Sequence, residues 1–134
     1  MIYKKSWKYI LIKSYQKNFY RLKALKDFSD VRKDEIGGYV NNYRNLSQSG
    51  KCWIYDNAQV LFNARVSGDA WIMNTATVSG RAIVCDDTII SENALITDYA
   101  KIFEYAQVSG NSTIIGGSKV VSGSRIITDG FFTE

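Results

Sequence analysis

From Cys52 onward a small residue recurs every six positions, and an aliphatic residue follows each one two places later. The small positions are Cys52, Ala58, Ala64, Ala70, Ala76, Ala82, Thr88, Ala94, Ala100, Ala106, Ser112, Ser118 and Ser124. Their partners run in step from Ile54, Val60 and Val66 to Val120 and Ile126. Thirteen hexads thus fill the 78 residues from Cys52 to Asp129 without a break. An amphipathic α-helix would repeat its apolar positions about every 3.6 residues, so this period excludes one.

Alternation along a short strand sends the small and aliphatic residues to one side and their neighbours to the other. Three hexads then close a triangular coil of about 18 residues, each coil pairing in parallel with the next about 4.8 Å along the axis. The intervening positions hold Gly68-Asp69, Gly80-Arg81, Gly110-Asn111, Gly116-Gly117 and Ser122-Gly123, residues suited to tight corners. With no proline in the chain, nothing interrupts the ladder. The expected fold is all-β: a single-stranded, three-sided parallel β-helix over residues 46–134, preceded by a basic cap over residues 1–45. Within the cap, Tyr9 to Lys13 and Phe19 to Leu25 read as a β-hairpin. A helix is the competing reading, because Trp7, Ile10, Leu11 and Tyr15 fall near helical spacing. Gly37-Gly38 is expected to form a sharp turn, and Leu46 to anchor a degenerate first coil.

The hexads resemble those of the hexapeptide-repeat, left-handed parallel β-helix proteins, in which a small residue lies four places after the aliphatic one, as in Val60 to Ala64. Glycine here stands two places after the aliphatic residue (Val66-Ser67-Gly68) where that pattern has it one place after, which leaves the hand of the coil open. The stretches Arg21 to Phe28, Ile36 to Val40, Asn45 to Ser47 and Cys52 to Ala58 are further similar to uncharacterised bacterial and phage members of that group. The resemblance implies trimeric acyltransferase relatives that act with a histidine base and coenzyme A or acyl carrier protein. This chain has no histidine, so neither that base nor a three-histidine zinc site can be assembled. No enzyme activity, cofactor or metal is expected. The remaining chemical candidates are weak. Cys52 fills an inward slot, Cys85 lacks an activating base, and the stacked pairs Asp69/Asp87 and Asp86/Glu104 read first as solvated corners.

Function is therefore expected on the outer faces. Residues about 18 apart stack, and the face beginning at Trp53 presents Trp53, Tyr55, Trp71, Met73 and Ile89 together. Such a patch suits an interface, and its occupant could be the N-terminal hairpin, a second copy or a foreign partner. Residues 1–33 carry ten basic and two acidic side chains, a net +8, while the rest of the chain is acidic. Lys4, Lys5, Lys8, Lys13 and Lys17 accordingly form a candidate partner-binding head, for a protein or for nucleic acid. A homo-oligomer is expected from the mixed third face and the uncovered last coil. Two cysteines, no export signal and no apolar run of membrane length suggest a cytoplasmic protein that does not engage a membrane. The leading expectation is a non-catalytic interaction protein, with a phage-encoded inhibitor of a host defence or nucleic-acid enzyme as one form of it. A self-assembling scaffold and a divergent acyltransferase are the alternatives.

Overall fold

The structure is a computed structural model that describes residues 6–116 and 120–133. Three parallel sheets of two-residue strands stack along the chain as a β-solenoid. One sheet starts at Trp53–Ile54 and climbs through Trp71–Ile72, Ile89–Ile90 and Gln107–Val108 to Ile126–Ile127. The second runs from Gln59–Val60 to Phe131–Phe132, and the third from Arg65–Val66 to Val120–Val121. Successive rungs align 18 residues apart, as in Trp53↔Trp71 and Arg65↔Ile83. No α-helix occurs among the described residues, and one 3₁₀ turn spans Tyr43–Asn45.

The basic cap is a hairpin, not a helix. Strand β1 (Tyr9–Lys13) pairs antiparallel with β2 (Tyr20–Ala24), and β2 pairs with β3 (Ile36–Val40). Strand β3 then pairs in parallel with Gln59–Val60, so the cap extends the second face of the solenoid as one eight-stranded sheet. A single core follows, containing Tyr9, Leu22 and Val31 at one end and Val121 and Ile127 at the other. Inside the coils the alanines and their Ile or Val partners are buried throughout, because three strands meet near a narrow axis.

Gly37-Gly38 does not make the expected turn. Both residues lie within β3 and neither takes a left-handed backbone. Their role is close approach: a Cβ on Gly37 would stand 2.7 Å from the Trp53 ring, and one on Gly38 2.4 Å from the Ala58 carbonyl oxygen.

The corners explain the displaced glycines. The second residue after each aliphatic position, from Asp56 and Phe62 to Glu104 and Gly110, has φ between 57° and 68°. That left-handed position is where glycine costs least and where Asn and Asp are tolerated. Corner side chains close the ladder from outside. The Asn74 amide N–H donates to Asp56 (3.0 Å), the Glu92 N–H to Asn74 (2.9 Å), and the Gly110 N–H to Glu92 (3.2 Å).

The unbroken register is overturned in the last coil. Ile102 aligns with Val121 and Val108 with Ile127, offsets of 19 where 18 was expected. Ile127 and Val121 are buried, whereas Ile126 is 66% exposed and Ser124 is also outside. One extra residue has entered after Ile114, and it is removed again before Phe132, which aligns 18 residues beyond Ile114. Gly123 takes the left-handed corner of the shifted register, with φ 72°. The expected inward position Ser118 lies outside the described residues.

Candidate interaction surfaces

The aromatic face is divided by the cap. Trp53, expected to be outward and available, is fully buried. Phe28 packs edge-on against it at 5.3 Å and Tyr9 at 6.4 Å, while Gly37 passes over its ring. Of the three occupants considered for this patch, the N-terminal cap therefore takes Trp53. The Trp53 indole N–H has no acceptor, alone among the buried side-chain polar atoms of the described residues.

Tyr55 is half-buried, and its hydroxyl is bonded to Asp30 of the cap at 2.6 Å. Its ring meets Trp71 edge-on at 5.7 Å. Beyond the cap, Trp71, Met73 and Ile89 remain half-exposed on successive rungs. Trp71 and Ile89 line a shallow groove of about 340 Å³ together with Ser29, Lys51, Asp69 and Asp87. The result is a small apolar ledge with a polar rim, the general layout of an interface centre.

The basic head is partly absorbed by folding. Lys8, expected to face a partner, is buried. Its ammonium donates to the carbonyl of Cys52 (2.7 Å), to Cys52 Sγ (3.2 Å) and to the carbonyl of Gly50 (3.3 Å), and sits 5.2 Å from the Phe28 ring centre. Burial pulls the Lys8 pKa below its ordinary value, against the opposing pull of Cys52. Arg21 is likewise structural: it lies over Tyr39 at 4.4 Å and donates to the carbonyls of Gly37 (2.9 Å) and Asp56 (2.7 Å). Lys23 and Arg32 form ion pairs with Asp34 and Asp27 within the cap. Lys13 and Lys17 are exposed near the hairpin loop, and Lys4 and Lys5 lie outside the described residues.

The corner carboxylates are engaged by backbone. Asp69 accepts from the Lys51 N–H (3.0 Å), Asp86 from Glu104 (2.9 Å), and Glu104 from Gly123 (3.1 Å). No cluster of three or more metal-ligating side chains occurs among the described residues. Cys52 is buried beside Lys8, and burial raises its pKa. Cys85 is half-buried, and burial together with Asp86 raises its pKa as well, which disfavours a reactive thiolate.

Sequence reasoning missed one convergence. Arg44, from the 3₁₀ turn, joins Asn63, Arg65, Arg81 and Ile83 around a concavity of about 370 Å³. Asn63 and Arg81 are corner residues, which in sequence look like turn formers alone. Their 18-residue spacing was the available signal.

These features define a parallel β-solenoid with a six-residue repeat. A 39-residue stretch is 41% identical to the uncharacterized acetyltransferase YdcK of Escherichia coli strain K12, covering 29% of this chain and 12% of that protein. No family model matches the chain. Among the described residues, no helix is long and apolar enough to cross a membrane.

Proposed function

We propose that the protein is a β-solenoid binding scaffold that receives a protein partner on the ledge formed by Trp71, Met73 and Ile89. The observation that carries this reading is the ledge itself: the cap covers Trp53 but meets the next two rungs only at the groove's edge, through Ser29. Trp71 has the size and placement of an interface anchor, and Lys51, Asp69 and Asp87 supply a charged rim. The chain's lack of histidine favours binding over acyl transfer. The partner is a second copy or a different protein, and sedimentation separates the two. If the chain self-associates, Trp71→Glu shifts the dissociation midpoint upward by tenfold or more. If it stays monomeric, nuclease-treated pull-downs should lose a specific band with Trp71→Glu and keep it with Arg125→Glu, a change at an exposed residue of the last coil. Identical behaviour of both variants and the parent chain in both assays rules the ledge out.

The partial identity to YdcK supports a second reading, a divergent acyltransferase with a base other than histidine. It requires binding of coenzyme A. An unchanged melting temperature in millimolar coenzyme A removes it.

A further inference from the structure

We infer that the corner running from Phe62 to Tyr99 is a binding site for single-stranded nucleic acid. The site is separate from the Trp71 ledge and does not depend on it. Two concavities meet at this corner and share Asn63: the arginine-lined one already described, and a second of about 500 Å³ that includes Lys17, Phe19 and Phe62. Together they are lined by four cations, Lys17, Arg44, Arg65 and Arg81, and by no carboxylate.

The cations are arranged in a file. Leu46 bridges Val66, which places Arg44 one coil before Arg65. Arg65 aligns with Ile83, and Ile83 with Lys101 one coil further on. Arg81 stands at the corner beside Ile83, so four consecutive coils each contribute a positive charge, about 4.8 Å apart along the axis. None of Arg44, Arg65, Arg81 and Lys101 forms an ion pair among the described residues, and all four are exposed. Guanidinium groups match phosphate oxygens in pairs. A file of three arginines and a lysine without carboxylate partners is suited to a polymer of phosphates.

The aromatic residues decide which polymer. Phe62 is 64% exposed and Tyr99 51% exposed; Tyr99 stands two coils beyond Asn63, the neighbour of Phe62, with Asp98 at the position of Phe62. That separation of about 10 Å is the run of roughly three stacked nucleotides. The Arg81 guanidinium lies 5.8 Å from the Tyr99 ring centre, joining charge to an open aromatic face. The Phe62 side chain contributes little to folding. The residue holds φ 58° at a corner position where the other coils carry Gly, Asn, Asp or Glu, and it buries little in return. A bulky side chain in a disfavoured backbone region, left open to solvent, fits a stacking platform. Duplex readers insert a helix or a ribbon into a groove, and this corner offers neither.

The test is fluorescence anisotropy with the full chain and a fluorescein-labelled oligothymidylate of about a dozen nucleotides, at about 50 and 200 mM salt. Binding should weaken steeply with salt, and Arg65→Gln/Arg81→Gln should reduce affinity at least tenfold and flatten the salt dependence. Phe62→Asn separates binding from folding: affinity should fall roughly fivefold or more, while the melting temperature holds or rises. No binding at low salt overturns the inference. So does binding that survives all three substitutions but is lost with Lys4→Gln/Lys5→Gln, or a duplex that competes as well as the single strand.

Discussion

At Asn45 a single side chain satisfies four backbone groups at once. Its carbonyl oxygen accepts from the N–H of Asn41 (2.9 Å) and Asn42 (3.1 Å), and its amide donates to the carbonyls of Phe62 (3.1 Å) and Ala64 (2.9 Å). The residue is fully buried, so removing it leaves four half-buried or buried backbone groups without their partner. Asn45→Ala should cost about 3 kcal/mol, at the upper end for a buried polar loss, read as a lowered urea midpoint. Phe62 argues in the opposite direction. A non-glycine residue in the left-handed region costs about 1–2 kcal/mol, so Phe62→Gly should raise stability by up to about 1 kcal/mol after the entropy glycine adds to the unfolded chain. A loss of stability there would mean that the ring contributes packing its exposure does not suggest.

Among the elements, β3 is the joint between cap and solenoid, and its two glycines make the joint possible. Gly38→Ala pushes a methyl into the Ala58 carbonyl and the Ile54 side chain. It should destabilise by about 2 kcal/mol through overpacking and loosen the cover over Trp53, raising Trp fluorescence quenching by acrylamide. The last coil offers a sharper test. Ile127→Ser should cost about 2 kcal/mol or more as a buried apolar loss, whereas Ile126→Ser should fall within about 0.5 kcal/mol of the parent. The unbroken hexad register requires the reverse order. The unbroken register expected from the sequence fails here because Val120-Val121 and Ile126-Ile127 are pairs of equivalent residues, and either member fills the inward slot. The available hint was Gly123, which stands two places after Val121 just as Gly68 stands two places after Val66.

For the molecule as a whole, the cap and the solenoid share one core, and their joint carries a pH dependence. Burial holds the Tyr9 phenol above its ordinary value of 10.0, and burial with the bond to Asp30 does the same for Tyr55. The folded chain therefore keeps protons that the unfolded chain has released. This contribution to stability is complete below pH about 10 and is lost as pH rises beyond it. Lys8 has the opposite sign, since its lowered pKa makes the unfolded chain the better proton binder. Urea midpoints measured from pH about 10 to 11 should fall, and Tyr9→Phe should flatten the fall. A profile unchanged by that substitution would place the titrating group elsewhere.

The sequence by itself determined the solenoid, because a period of six over many coils admits only one kind of buried interior. It also indicated the hairpin and grouped the apolar side chains of the face at Trp53. Tertiary structure decided which part of that face is core and which is surface. Trp53 and Trp71 occupy equivalent positions in their hexads, and only the distance to which β3, Phe28 and Tyr9 reach makes one core and the other surface. The same holds for the basic head: Lys8 and Lys17 are alike in sequence, but one is enclosed beside Cys52 and the other is open. The shift in the last coil was likewise set by ladder pairing, which fixes register through backbone hydrogen bonds that residue identity did not distinguish. A repeat specifies which positions point inward; how far the cap reaches along the outside depends on contacts between segments far apart in the chain.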